Sequence, residues 1–334
     1  MIISRTPLRI SLVGGATDLP EFYTRNDYGA VVSFAIKQHF TVVVNKRFES
    51  NIRVSYSETE VVNNPLDLKH DIVKACLMRM RIKYGIEINT ISDIPGGGTG
   101  LGSSSALTVG LLNALAQYAL TQNIEYAPFD DVADEAYGIE HDVLGRRLGK
   151  QDQYACAYGG MNYIRFNADG GVVVQPMPKY NEFYERIQRR ISVFYTGITR
   201  SSQSILQEQS KNTANDSRAV DNLIKMRDLA DQVYGLIMTE NFDDVGEALD
   251  LNWHLKKSLA GNISNYEIDN WYDIGKSNGA LGAKICGAGG GGFMLFWSKP
   301  EDKEKIQKAM PLRYVPIRIE PRGTHIAYME GFND

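Results

Sequence analysis

The segment Pro95 to Ala106, PGGGTGLGSSSA, constrains this chain more than any other, because a glycine-rich loop there runs directly into a hydroxyl-rich helix start. Five glycines fall within seven residues (Gly96, Gly97, Gly98, Gly100 and Gly102), which lets backbone take positive φ and approach a ligand with no Cβ in the way. Ser103 to Leu120 then reads as a serine-capped helix continued by Ala, Leu and Val. A helix N-terminus presents unpaired N–H groups and about half a positive charge, so an anion in front of it is stabilised. A flexible linker is the alternative, but a linker does not lead into SALTVGLLNALAQYAL, which is apolar nearly all round and therefore expected to be buried. The loop reads as a phosphate cradle.

Neither common nucleotide motif accounts for it. A Walker loop needs Gly, four residues, then Gly-Lys-Ser/Thr; GRRLGK at Gly145 to Lys150 is one residue short and is followed by Gln151. The Rossmann pattern matches at Gly287, Gly289 and Gly292, but FMLFW follows, a strand-like run where the dinucleotide motif must open a helix.

At 334 residues, 43% hydrophobic and 23% charged, the chain can bury a sizeable core in two domains. A net charge of −4 and no basic run argue against nucleic acid as a partner. Arg5 and Arg9 interrupt the first apolar segment, which excludes a signal peptide, and no apolar run is long enough to span a membrane. Three scattered cysteines and five separated histidines form neither a disulfide framework nor a zinc pattern. A soluble, cytoplasmic chain is expected.

Strands are predicted at LRISLV, AVVSFAI and FTVVVNKRF, with a long loop from Gly14 to Gly29. Helical periodicity starts near Asp71, the strand EINTIS leads to the glycine loop, and helices follow at Ser103 to Leu120 and about Asp131 to Leu144. GMNYIRF, GGVVVQP and ISVFYTG read as strands, roughly Ser202 to Asn278 as helical, and AKICGA, GGFMLFW, VPIRIE and HIAYME as strands again.

Plotted at about 100° per residue, Asp131 to Leu144 places Glu140 in the middle of an apolar arc. A carboxylate aimed at a core must be paired, protonated or bound to a cation. An arginine ion pair is one reading; Mg²⁺, which uses one or two protein oxygens plus substrate phosphates, is the other. Asp152 lies in GKQDQYACAYGG, read as a short polar segment between helix and strand, as a turn residue or as a proton acceptor for a hydroxyl. Alternation puts Leu8, Ile10 and Leu12 on one strand face and Arg9 on the other, toward solvent or a site; Asp18 is a turn residue or a sugar-hydroxyl acceptor.

Taken in order, TPLRISLVGGATDLP, PGGGTGLGSSSA and KICGAGGGGFMLF resemble the GHMP small-molecule kinases. The resemblance implies an α+β fold of two lobes, a ribosomal-protein-like N-terminal lobe (1–185) carrying ATP and a ferredoxin-like C-terminal lobe (186–334), with the site between them. It places ATP phosphates on Gly96, Gly97, Gly98, Gly100, Leu101, Gly102, Ser103, Ser104 and Ser105, Mg²⁺ on Ser104 and Glu140, the catalytic base at Asp152 and the charge-offsetting cation at Arg9. Asp18, with Gly15 and Thr17, matches the sugar loop, and Gly289 and Gly290 the segment by which backbone reaches phosphates and substrate.

Galactokinase reads GEHTDY where this chain reads GGATDLP, which argues against galactose. GGATDLP and GKQDQYACAYGG resemble instead the D-glycero-D-manno-heptose 7-phosphate kinases and, more distantly, fucokinase, so the implied reaction is phosphorylation of an anomeric hydroxyl on a sugar phosphate, on a route to a GDP-activated heptose. Arg146, Arg147, Lys150 and Arg200 are the candidates for the substrate's own phosphate. Another sugar 1-kinase, a non-catalytic sensor of ATP and sugar, or a decarboxylase of the mevalonate branch are the competing readings, and a homodimer stays open.

Overall fold

In the computed structural model of the chain, residues 1–95, 98–199 and 202–330 are described. Val, Ile and Phe dominate β1 (Ile2–Val13) and β2 (Tyr28–Lys46), residue types that pack well on a pleated surface. β2 is 19 residues long and carries most of the first sheet. β1 lies along one edge of it, while the other edge pairs with β6 (Met161–Asn167) through Tyr28–Phe34 and with β5 (Ile86–Ser92) through Phe40–Lys46. β3 (Ile52–Ser55) joins β5 in parallel, and the sheet continues through β4 (Thr59–Val62) and, beside β6, β7 (Val172–Pro176). The second sheet is antiparallel, in the order β11 (Arg313–Tyr314), β8 (Ile191–Tyr195), β10 (Phe293–Ser298), β9 (Ala280–Ile285). The last strand, β12 (His325–Met329), returns to the first sheet and pairs with β1.

Helices pack against both sheets, and on both faces of the first. α1 (Pro20–Tyr23) turns the loop after β1, α2 (Asp71–Arg79) precedes β5, and α3 (Ser103–Thr121) packs on β1 and β2 with residues buried on every side, as its composition predicts. α4 (Val132–Gly138) continues without a break into a π-helical turn, Ile139–Val143, and α5 (Gln151–Tyr158) packs beside α3. On the second half lie α6 (Asn181–Gln188), α7 (Ser202–Asn215), α8 (Ser217–Met238), α9 (Phe242–Lys257), α10 (Tyr266–Ser277) and α11 (Lys303–Ala309). Leu8, Ile10 and Leu12 of β1 share one core cluster with Val193, Leu295 and Trp297 of the second sheet and Val233 and Leu249 of its helices. β1 is thus anchored from both halves, and its opposite face is free to carry Arg9.

Four local readings differ from the structure. AVVSFAI and FTVVVNKRF are one strand, bulged at Lys37–Gln38, where β1 skips from Pro7 to Leu8; the polar pair marks the bulge and not a break. The β3–β4 hairpin is absent from the sequence reading, because four-residue strands carry too little alternation to register. VPIRIE is extended but makes only a single bridge, Ile319 to Ile36, so it lacks the ladder a strand needs. GKQDQYACAYGG is no polar turn segment: Gln151–Tyr158 is helical, and Asp152 sits in that helix's first turn.

Candidate active site

Gly98, Gly100 and Gly102 all take left-handed backbone (φ +68, +75 and +76°), separated by residues that do not. Gly102 is itself the N-cap of α3, and no side chain caps the first turn. The expected serine cap is therefore absent: Ser103, Ser104 and Ser105 lie inside the helix, and the first-turn N–H groups stay available to an anion. The loop is held from the far side by the third glycine segment. A Cβ on Gly100 would lie 2.3 Å from the Cys286 carbonyl oxygen, and one on Gly287 2.4 Å from the Gly100 Cα. Those glycines serve backbone-to-backbone packing between the two motifs as well as access to a ligand.

This loop forms one wall of an open cleft of about 1050 Å³. Gly98, Gly100, Gly102, Ser103, Ser104, Ser105, Gly15, Asp18, Arg9, Asp152 and Gly289 all line it. Arg9 is 4% exposed and donates Nε to Asp152 Oδ1 at 2.7 Å, Nη2 to Oδ2 at 2.6 Å and Nη1 to the Gly100 carbonyl at 2.7 Å. Burial works against the guanidinium, but the Asp152 carboxylate outweighs it and holds Arg9 charged. Asp18 is also buried; its carboxylate accepts from the Ala16 N–H at 3.0 Å, the Gln151 N–H at 3.1 Å and Gln151 Nε2 at 2.9 Å. Desolvation, then the neighbouring Asp152, raises its pKa above the usual carboxylate range. A buried acceptor oriented by three donors is suited to a hydroxyl ligand.

Glu140 lies in the π-helical turn, 2% exposed, below the serines. It accepts from Ser104 Oγ at 2.6 Å and from Gln153 Nε2 at 3.0 Å. Arg146 Nη1 reaches Ser104 Oγ at 2.8 Å and Glu140 Oε2 at 3.4 Å, and its Nη2 reaches Asp71 at 2.7 Å. Burial raises the Glu140 pKa, against the opposing pull of Ser104, Gln153 and Arg146. Two hard oxygens therefore converge on one cationic group, a donor set that suits a divalent cation sharing phosphate ligands. No cluster of three or more His, Cys, Asp or Glu side chains offers an all-protein metal cage among the described residues.

Several expected positions do not reach the cleft. Lys150 is turned away: its ammonium donates to the Gly170 carbonyl at 2.8 Å and to Asp134 at 3.3 Å, over the Tyr137 ring. Thr17 is fully buried, its hydroxyl shared between the carbonyls of Gly14 and Ala30, so it ties the loop to β2 and does not line the cleft. Leu101 is a core residue whose carbonyl accepts from the Arg9 N–H, and Gly290 is buried with its N–H on the Ile263 carbonyl. Arg147 contacts Ser210. Gly96, Gly97 and Arg200 lie outside the described residues.

The cleft also holds residues that sequence reasoning missed: Ser11, Gln151, Gln209, Lys256 and Lys284. Among the described residues, Ser11 Oγ, Gln151 Oε1 and Gln209 Nε2 are buried without hydrogen-bond partners. Lys284 donates to the carbonyls of Ser11 and Leu12, and burial lowers its pKa well below the ordinary value. Lys256 was detectable by the pattern that exposed Glu140: with Val245, Leu249, Asn252 and Trp253 it shares the buried stripe of α9.

The sequence profile of the GHMP kinases N terminal domain matches residues 71–160, and that of the GHMP kinases C terminal matches 233–316. The D-glycero-alpha-D-manno-heptose 7-phosphate kinase of Campylobacter jejuni subsp. jejuni serotype O:2 is 31% identical over 92% of this chain and 93% of its own. The chain belongs to the GHMP kinase family. This GHMP kinase is accordingly a phosphotransferase, and the family is ATP-dependent. A D-glycero-D-manno-heptose 1-phosphate kinase from Bacteroides thetaiotaomicron has the same fold, with a TM-score of 0.79 at 21% identity over 99% of this chain and 100% of that one. The bifunctional fucokinase/GDP-fucose pyrophosphorylase of Arabidopsis thaliana is 23% identical over 90% of this chain but only 30% of its own length. No helix among the described residues of the GHMP kinase is long and apolar enough to cross a membrane.

Proposed function

We propose that this GHMP kinase transfers the γ-phosphoryl group of ATP to the anomeric hydroxyl of D-glycero-D-manno-heptose 7-phosphate, giving the 1,7-bisphosphate in the cytoplasm for a GDP-heptose route. The observation that carries the reading is the 31% identity, over nearly the full length of both chains, to a heptose 7-phosphate kinase. In this reading the ATP phosphates lie on Gly98 to Ser105, where left-handed glycines and the uncapped first turn of α3 supply N–H donors. Asp18 orients the sugar through its hydroxyls. Asp152 accepts the proton of the anomeric hydroxyl; the Arg9 fork occupies one lone pair on each of its oxygens, and the side chain, 26% exposed, keeps the others open to the cleft. Arg9 fixes the carboxylate and offsets charge as the phosphoryl group moves.

Ser104 and Glu140 are the residues that would hold Mg²⁺, with Arg146 giving up its place between them. Bound there, the ion supplies charge neutralisation to the β- and γ-phosphates.

The test is ATP turnover with Mg²⁺ on a panel of D-glycero-D-manno-heptose 7-phosphate, sedoheptulose 7-phosphate, mannose 6-phosphate, fucose and galactose, with product position read by phosphorus NMR. Turnover of the heptose phosphate with a new anomeric phosphate is expected. Preference for free fucose would replace the substrate and keep the chemistry, and no turnover on any sugar would favour a ligand sensor.

A further inference from the structure

Arg9, Lys256 and Lys284 are the cations lining the cleft among the described residues, and they are not equally committed. Arg9 places three nitrogens on Asp152 and Gly100, and Lys284 holds two carbonyls of β1. Lys256, in the last turn of α9, donates among the described residues to the Gly287 carbonyl alone, although it is only 4% exposed. A buried ammonium with two unused N–H groups carries an uncompensated desolvation cost.

Its position is between the two loops that bind substrates. Gly287, its hydrogen-bond partner, packs against Gly100 of the glycine loop. On the other side, the space a Cβ on Gly15 would fill is bounded by Lys256 Nζ at 3.8 Å, Ser11 Oγ at 3.8 Å and Gln151 Nε2 at 3.7 Å. The charged and titratable groups facing it are Arg9 from β1, Asp18 from the loop after β1, Asp152 from α5, and Lys284 and Cys286 from β9 and the turn that follows. Three basic side chains meet two carboxylates there, and an incoming anion favours the charged form of both lysines.

We infer that Lys256 is a catalytic residue, binding oxygens of the phosphoryl group in transit from nucleotide to acceptor through its two spare N–H groups. The inference rests on the kinase reading and adds a residue to it. In the step, the acceptor O–H proton passes to Asp152 and the acceptor oxygen forms the new P–O bond. The bond from γ-phosphorus to the bridging oxygen breaks, and its electron pair leaves with ADP. Lys256 donates hydrogen bonds throughout and exchanges no proton.

The test compares wild type, Lys256→Met and Lys256→Arg on whichever panel sugar the wild type phosphorylates, and measures ADP binding with and without aluminium fluoride. Lys256→Met is expected to lower kcat about a hundredfold, as removal of a donor to developing charge does, to leave ADP affinity unchanged and to lose the tightening that aluminium fluoride gives the wild type. Burial and Arg9 lower the Lys256 pKa to about 8, so wild-type kcat/KM should fall above that pH while Lys256→Arg holds its activity further into alkali. That profile decides the matter should the Met variant fail to fold. Wild-type kcat and undiminished aluminium fluoride tightening in Lys256→Met, or an unchanged alkaline limb in Lys256→Arg, would overturn the inference alone; a wild type inactive on every sugar would remove the kinase reading and this inference together.

Discussion

Arg9 and Asp152, 143 positions apart, form a two-pronged pair, Nε to Oδ1 at 2.7 Å and Nη2 to Oδ2 at 2.6 Å. The third Arg9 nitrogen ends on the Gly100 carbonyl, so one guanidinium connects the Asp152 carboxylate to the glycine loop. Fork-to-fork geometry fixes the plane of the carboxylate as a single ion pair cannot. Orientation of that carboxylate is thereby tied to the conformation of the glycine loop.

Asp152→Asn removes the carboxylate charge and one half of that fork and, in the proposed function, the proton acceptor. Steady-state kinetics should give a kcat lower by about 10² to 10⁴-fold, with nucleotide affinity by calorimetry close to wild type. A variant that turns over normally would exclude Asp152 as the base.

Glu140→Gln keeps the shape of the side chain and removes its charge from a buried site. The Mg²⁺ concentration for half-maximal activity should rise. Unchanged metal dependence together with a lowered melting temperature would assign Glu140 to the Arg146 and Asp71 network alone.

Gly149→Ala tests the sugar side. A Cβ there would lie 1.9 Å from Asp18 Oδ2, so Asp18 must shift from its three donors. The sugar KM should rise roughly tenfold, equivalent to about 1.4 kcal/mol, with the ATP KM unchanged; equal effects on both substrates would mean the change spreads beyond Asp18.

Lys256 also makes a stability prediction. Its folded pKa, about 8, is below the ordinary 10.5, so between those values the unfolded chain binds the extra proton. Wild-type stability therefore gains from this group as pH rises from about 8 to 10.5, and Lys256→Met lacks the gain. Melting curves of both proteins over that range should show any advantage of the Met variant shrinking as pH rises; a gap independent of pH would mean Lys256 is not held at a lowered pKa.

Glycine spacing marked the left-handed loop that opens α3, and periodicity marked the burial of α3 and the inward-facing Glu140. Both signals are local, set by φ preference or by a single helix's face. The placement of Lys150 and Thr17 was not legible because sequence adjacency says nothing of side-chain direction: each lies next to a cleft residue without lining the cleft itself. Gln151 and Lys284 stayed hidden because only tertiary packing brings α5 and β9 onto the end of β1. Asp152 was assigned a proton-accepting role within a misread segment, since the glycines flanking α5 outweighed the weak helical pattern of eight residues.

The pairing of β12 with β1 has a consequence for biosynthesis. The strand that bears Arg9 lies far upstream of β12 in the chain, and one of its edges, Ile2–Arg5, is paired by residues 325–329. Until residues 325–329 are made that edge stays open, and a chain lacking β12 would expose a bare edge on the strand that bears Arg9.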